Sequence, residues 1–221
     1  IAARLSAELM STRMASRNAA DAQAMIDTAD GAHQEVHNML LRMREIAVQA
    51  VNGTLDAADR TALSEEINAL EKEITSIADN TTFAGKNLGT SQAVTFQIGT
   101  GNGDELAVTF KDFDATTMGV DVSVGTDTLA KAAIDKIDDA ISLVSTRRGE
   151  LGAFSNRLSS TIANLDNISV NLASARGRIQ DTDFALETAN LAKNQILQQA
   201  ATAMLAQANA SKGTVLTLIK G

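Results

Sequence analysis

The sequence predicts a mainly α fold: a long, coiled-coil-like helical rod with a small β-hairpin and an apolar C-terminal helix. Three observations predict this class. The 221 residues include no Pro, the strongest helix breaker, and their only aromatic side chains besides histidine are six Phe. Apolar residues recur at alternating steps of three and four over two long stretches, as on one face of a helix. Between these stretches the apolar pattern alternates with period two, which is typical of strands.

The first stretch predicts one very long helix and a second, shorter one. The apolar residues of the long helix form a seam, a line of side chains along one helix face, which is interrupted only by His33. The helix is predicted to end at Asn52-Gly53, where we expect glycine to cap it. The members of the seam are Ala19, Ala22, Ile26, Ala29, His33, Val36, Leu40, Met43, Ala47 and Ala50. The second helix is predicted from about Ala57 to Asp79-Asn80, with a seam at Leu63, Ile67, Leu70, Ile74 and Ile77.

The middle of the chain predicts a β-hairpin and an extended arm. Two alternating runs flank the turn-rich GTGNGD and consist of Val94, Phe96 and Ile98, and of Leu106, Val108 and Phe110. Alternation returns at Met118, Val120, Val122 and Val124, which indicates a third strand or an extended arm.

A third helix is predicted from near Leu129, with polar residues punctuating its seam. The seam comprises Ile134, Ile137, Ile141, Val144, Arg148, Leu151, Ser155, Leu158, Ile162, Leu165, Ser169, Leu172, Arg176 and Ile179. A pattern this long without internal caps indicates a coiled-coil-like rod, and an ordinary bundle of long helices is the alternative.

The last segment, from about Phe184, is rich in Ala, Leu and Ile and carries little charge. Its broad apolar face includes Ile196, Leu197, Met204 and Leu205, and is extended by Val215, Leu216, Leu218 and Ile219. The other elements have seams of their own, so this face predicts association with another chain or with a missing N-terminal segment. The chain begins with Ile inside a predicted helix, so we expect it to be an excerpt.

Composition disfavours several partners. The formal net charge is -8 and the pI about 4.8, and an acidic surface repels nucleic-acid phosphates and anionic lipids. No apolar run approaches the roughly 20 residues that span a bilayer. We therefore expect neither nucleic-acid binding nor membrane insertion. With no Cys in the chain, no disulfide can form.

The stretch HQEVH holds the only histidines, His33 and His37, which share one helix face. A zincin needs its glutamate directly after the first histidine, whereas Glu35 comes two residues later. His33 is a seam position, which favours a buried, hydrogen-bonded side chain. GTGNGD lacks the spacing of an EF-hand, and no nucleophile elbow or P-loop occurs. The sequence predicts no enzyme, no metal site and no cofactor.

Two separated blocks resemble one family. NMLLRMREIAVQAVNGT is similar to the flagellin N-terminal signature, with SRNAADAQAMIDTADGA upstream and TTFAGKNL downstream. The block from NLDNISVNLASARGRIQDTDFALETANLAKNQILQQAATAMLAQAN resembles the flagellin C-terminal region. The resemblance implies residues 1–90 as the N-terminal helical part of the rod core domain and 91–126 as its β-hairpin and extended segment. It implies 127–182 as its C-terminal long helix and 183–221 as half of the terminal filament-core domain.

The resemblance implies a secreted, extracellular subunit of the bacterial flagellum that self-assembles into a helical homopolymer for motility. Its implied partners are copies of itself, the flagellar export machinery and chaperone, and hook-associated proteins. About fifty residues that precede this start in the family would pair with the C-terminal helix. Without them, the segment from Ile196 to Ile219 is expected to be disordered or held by neighbouring molecules. The short middle segment implies that the variable outer domains of many flagellins are missing or minimal.

Flagellins are also recognised by a host Toll-like receptor. By position, Arg42, Ile46 and Gln49 match that surface, with Glu66 on the adjoining helix, and an interhelical Arg42–Glu66 ion pair is the alternative. Two other functions remain open. One is a hook-filament junction protein. The other is a flagellin-like cell-surface protein that binds a ligand such as a polysaccharide, for which a chain without Trp or Tyr lacks the usual aromatic platforms.

Overall fold

The computed structural model describes residues 1–181 and 184–220, without the side chains of residues 184, 185 and 211–220. Four helices are described: α1 (Ala2–Ala50), α2 (Ala57–Asn80), α3 (Asp127–Gln180) and α4 (Phe184–Lys220). The described strands are β1 (Thr82–Phe83), β2 (Lys86–Asn87), β3 (Gln92–Gln97) and β4 (Glu105–Phe110). The mainly α class is confirmed. The chain divides into two compact units, Ala3–Ala173 and a second unit that contains the chain from Ser174 onward.

The predicted seam of α1 is confirmed along its whole length. Every seam position from Ala19 to Ala50 is buried, including His33. The N-terminal half of the seam is built mostly from alanine, so other elements can approach that part of α1 closely. The C-terminal half carries larger side chains such as Leu40 and Met43, which fill the space between helices.

The seam of α3 is confirmed only in part. Side chains buried at seven-residue intervals form its spine, namely Ala130, Ile137, Val144, Leu151, Leu158 and Leu165. Beyond Leu165 the burial ends, and Ile179 is 53% exposed. The prediction that the seam runs to Ile179 is therefore wrong at this end, because no element of the described chain covers it.

Polar pairs between α1 and α3 set the alignment of the two helices. The pairs are Ser16–Asp166 (3.1 Å), Gln23–Ser159 (3.2 Å), Asp30–Arg148 (2.8 Å) and Arg44–Asp138 (2.6 Å). Numbers rise along α1 as they fall along α3, so the helices are antiparallel. The hydrogen bond from Arg44 lowers the pKa of Asp138. Polar side-chain pairs spaced along two packed helices specify register more than they add stability.

The core of the first unit has two parts. One joins the C-terminal half of α1 to α2, to the start of α3 and to the arm that contains Phe113 and Val120. The other joins the N-terminal half of α1 to the hairpin and to Leu151 and Leu158 of α3. The alanine-rich part of α1 thus lies where the hairpin packs.

The predicted hairpin is confirmed. Strands β3 and β4 are antiparallel, and Val94 pairs with Val108 while Phe96 pairs with Leu106. The second alternating run forms no strand in the described residues. It begins with a hydrogen-bonded turn at Met118 and Gly119 and continues as an irregular arm. Met118, Val120, Val122 and Val124 are buried, and the residues between them are exposed. Glu71 of α2 fixes this arm by accepting a hydrogen bond of 2.8 Å from the Val122 backbone N–H. Partial burial raises the pKa of Glu71.

The predicted glycine cap of α1 is wrong. Gly53 does not have the positive φ of such a cap. The guanidinium of Arg60, on α2, donates instead to the carbonyl oxygens of Ala50 and Asn52. α2 begins with a capping box in which Asp56 accepts from Asp59 N–H at 2.8 Å. Among the described helices, none is both long and apolar enough to cross a membrane.

Candidate assembly and recognition surfaces

The predicted receptor surface lies on α1 and α2 of the first unit. Arg42 and Gln49 are exposed, and Glu66 is partly exposed on the neighbouring helix. Arg42 Nη2 lies 2.7 Å from Glu66 Oε1, and Arg42 Nη1 lies 3.0 Å from Glu45 Oε2. The hydrogen bonds to Glu66 and Glu45 raise the pKa of Arg42. The interhelical ion pair considered from the sequence is therefore present, and it holds Arg42 in a fixed orientation at the surface.

Ile46 is a correction to that surface. It is fully buried, with 0% of its area exposed. Ile46 lies beside the seam residue Ala47, on the side of α1 that the core covers. A partner that docks on the outer face of α1 in this structure reaches Arg42 and Gln49 but not Ile46.

Sequence reasoning missed two exposed apolar side chains beside this surface. Leu41 is 44% exposed and Val48 is 50% exposed. Together with Arg44, Glu45 and Gln49 they line an open groove of about 550 Å³. Their spacing of seven residues, on a face other than the seam, was the available sequence signal.

The second unit contains α4, which confirms the predicted apolar C-terminal helix. The family resemblance implied a disordered or neighbour-held segment from Ile196 to Ile219. Every side chain from residue 186 to residue 210 is exposed. The large apolar ones include Ile196 (65%), Leu197 (56%), Met204 (71%) and Leu205 (64%). These are the described members of the predicted polymerisation face. The side chains of Val215, Leu216, Leu218 and Ile219, predicted to extend it, lie outside the described residues.

The two histidines differ in burial, since His33 is buried and His37 is partly exposed. His33 is 4% exposed, and its ring centroid lies 4.5 Å from that of Phe113. Burial, followed by the nearby Arg147 charge, lowers the pKa of His33 to about 4. The expectation that His33 is buried is confirmed. The expectation of a hydrogen bond is wrong for Nδ1, which has no partner within the described part of the chain.

Within the residues described, no three His, Cys, Asp or Glu side chains are arranged to hold a metal ion. In the GTGNGD turn, Gln97 Nε2 donates to the carbonyl oxygens of Gly99 (3.0 Å) and Gly101 (2.7 Å). Asp104 Oδ2 accepts from Gly101 N–H at 2.7 Å, so these oxygens organise the turn itself.

Two regions of the chain match models of one protein family. Residues 1–91 match the bacterial flagellin N-terminal helical region, and residues 134–219 match the bacterial flagellin C-terminal helical region. A flagellin from Halalkalibacterium halodurans is 42% identical over 225 residues, which cover 100% of this chain and 83% of the relative. A flagellin from Bacillus subtilis is 37% identical over 257 residues, covering 100% of this chain and 84% of the relative.

Solved structures agree. The crystal structure of Bacillus cereus flagellin is 30% identical, with a TM-score of 0.59, and the match covers 72% of this chain and 94% of that one. A putative flagellar hook-associated protein from Vibrio parahaemolyticus has a TM-score of 0.66 at 16% identity, covering 80% of this chain and 95% of that one, which shows a shared fold alone. With both helical regions matched and relatives aligned over the full chain, this protein belongs to the bacterial flagellin family.

Proposed function

We propose that this chain is a structural subunit of the bacterial flagellar filament, which polymerises through contacts between helix faces and serves motility. The observation that carries the proposal is the exposed apolar face of α4 in a member of the flagellin family. Large exposed apolar patches on a protein mark surfaces that bind other proteins. A helix that repeats around a filament axis can bury such a face against copies of itself.

The position of each side chain around α4 defines the contact. At 100° per residue, Ile196, Leu197, Met204 and Leu205 fall within one half of the helix surface, and Met204 lies near its centre. Gln199 lies on the opposite side and is also exposed. A charge placed at Met204 would have to be buried in the assembled contact, whereas a charge at Gln199 would face away from it.

The test compares Met204→Asp with Gln199→Asp, which add the same charge to the same helix. Each variant is added to sheared filament seeds, and filament growth is measured by electron microscopy. We expect Met204→Asp to reduce growth by about tenfold or more, since an unpaired buried charge costs several kcal/mol, and Gln199→Asp to leave it nearly unchanged. Equal growth of the two variants would rule out the proposed face. If the unsubstituted full-length protein does not extend seeds, a hook-filament junction role or surface ligand binding becomes the better interpretation.

The further partners are also proposals. We infer that the chain is exported to the cell exterior by the flagellar export machinery, and that a chaperone covers the apolar face of α4 before assembly. Hook-associated proteins are proposed as neighbours at the filament end, as the family membership implies. Binding of the purified chaperone to the chain, and its loss in Met204→Asp, tests the chaperone contact.

We also propose that the outer face of α1 and α2 binds a host Toll-like receptor through Arg42, Gln49 and Glu66, with Ile46 removed from the predicted set. Arg148 offers a matched control, because it is a partly exposed arginine with its own interhelical ion pair, to Asp30, and does not line the groove beside this surface. In a receptor reporter assay, we expect Arg42→Ala to lower potency by about tenfold, as for an interface hot spot, and Arg148→Ala to have little effect. Equal effects of the two substitutions would point to lost helix packing instead of receptor contact.

A further inference from the structure

His33 lies where three elements of the first unit meet. It is a seam residue of α1, it packs against Phe113 of the segment after β4, and it lines a cavity of about 10 Å³ with Arg147 and Leu151 of α3. The rings of His33 and Phe113 are tilted by 52°. Protein atoms cover the imidazole almost completely, since His33 is 4% exposed. The ring is therefore held between α1, α3 and the segment after β4.

The arginines near His33 disfavour a positive charge on its imidazole. Arg147 is half-buried, and its guanidinium donates to the Asp112 backbone carbonyl, while its Nε has no partner among the described residues. Arg148 is already paired with Asp30 at 2.8 Å. The titratable and charged groups near His33 are Asp30 and His37 on α1, Arg147, Arg148 and Glu150 on α3, and Lys111, Asp112 and Asp114 after β4.

Two of the carboxylates in this set, Asp30 and Glu150, are already paired with other cations. Asp30 favours the protonated imidazole, but its two oxygens accept from Arg148 at 2.8 and 3.3 Å. Glu150 pairs with Lys111 at 3.5 Å. A protonated His33 would need an acceptor at Nδ1, where the described structure provides none. Its charge would also be repelled by the nearby positive charges of Arg147 and Arg148.

We propose that the contact of His33 with Phe113 and α3 is an acid-sensitive joint of the first unit: a proton on the buried imidazole weakens the packing of α1 against α3 and against the segment after β4. The proposal concerns the stability of the subunit itself and does not depend on how α4 assembles. It assigns a role to a histidine that the expected filament function leaves unexplained.

The direction follows from proton linkage. The pKa of His33 falls from 6.5 in the unfolded chain to about 4 in the folded protein, so the unfolded state binds the proton more strongly. The stabilising effect of a neutral His33 is complete above pH 6.5 and is lost as the pH falls toward 4. Across that window, a shift of this size lowers the folding equilibrium constant by about two orders of magnitude.

The test measures urea unfolding of the full chain by circular dichroism at intervals from pH 7.5 to 4.5. His33→Phe keeps an aromatic ring against Phe113 but cannot titrate. His37→Phe makes the same exchange one turn along α1 and is the matched control. We expect the unsubstituted chain and His37→Phe to lose at least about tenfold more in folding equilibrium constant than His33→Phe over this range. Carboxylate titration affects all three proteins equally and cancels in the comparison.

Parallel loss in the unsubstituted chain and in His33→Phe would overturn the proposal, and so would an equal rescue by His37→Phe. If His33→Phe does not fold, His33→Gln replaces it. A direct titration of the labelled histidine ring by NMR in the unsubstituted chain gives a second readout. A midpoint near 4 supports the joint, and a midpoint near 6.5 excludes it.

Discussion

Gly89 lies where the chain crosses the end of α2. A Cβ built on Gly89 would lie 2.0 Å from the carbonyl oxygen of Ala78, a backbone atom that cannot rotate away. Gly31 is the opposite case, because it is exposed on α1 and an added Cβ meets nothing within 4 Å. Gly89 is required because two backbone segments approach each other closely, whereas Gly31 only lowers the stability of the helix.

The two sites predict opposite effects of the same substitution. Gly89→Ala is expected to destabilise the protein by about 3 kcal/mol, because the α2–β2 junction must move to make room. Gly31→Ala is expected to stabilise it by about 0.5–1 kcal/mol, because alanine is the better helix former. Urea unfolding followed by circular dichroism measures both. A neutral Gly89→Ala would mean that the junction relaxes freely.

Single residues also show where sequence reasoning stops. The seam spacing correctly predicted that His33 is buried, because periodicity reports which face of a helix is covered. The same spacing did not include Ile46, one position before the seam residue Ala47, although it is fully buried. The width of the covered face depends on how many elements pack on the helix, and α1 is covered by both α2 and α3 in this region. Periodicity along α1 does not contain that information.

The C-terminus of α1 allows a test at the level of one element. If Arg60 closes the helix, Arg60→Ala leaves the carbonyls of Ala50 and Asn52 without this donor and costs about 1–2 kcal/mol. Gly53→Ala is the matched comparison, because Gly53 has no positive φ and an added Cβ meets nothing within 4 Å. We expect Gly53→Ala to be neutral or slightly stabilising in thermal unfolding. A large loss of stability in Gly53→Ala would indicate instead that Gly53 caps the helix.

Elements with local signals were predicted well. α2 begins at Ala57 and ends at Asn80 as expected, and Asp56 and Asp59 form the capping box that starts it. Strands β3 and β4 follow their alternation because one face of each contacts α1. The alternating arm from Met118 to Val124 begins in a turn and forms no strand in the described fold. Alternation indicates one-sided burial and not the presence of a neighbouring strand.

The whole molecule divides into parts of different stability. Residues 19–50 of α1 have a continuous buried seam, whereas residues 186–210 of α4 have only exposed side chains. Helices without a packed face are marginal in water. In hydrogen-exchange mass spectrometry of the unpolymerised chain, we expect amides of residues 19–50 to exchange at least about a thousandfold more slowly than those of residues 186–210. Equal protection of the two segments would show that α4 is packed in solution.

At this scale the sequence predicted the family and the fold class but not the shape of the recognition surface. Family resemblance indicated Arg42, Gln49 and Glu66, and only the packed structure shows the adjoining groove with Leu41 and Val48. The groove exists because these side chains lie on a face that α2 and α3 leave uncovered. Which face of α1 stays uncovered is decided only when the three helices pack together.

The polar pairs between α1 and α3 have a consequence for the order of folding. They join residues 94 to 150 positions apart, from Arg44–Asp138 to Ser16–Asp166. During synthesis, α1 and α2 are therefore complete before the first residue of α3 exists, and the side of α1 that α3 covers stays exposed until then. Long-range contacts of this kind slow folding and expose apolar surface meanwhile. The nascent chain thus cannot complete the packing of α1 against α3 before the ribosome has added Asp166.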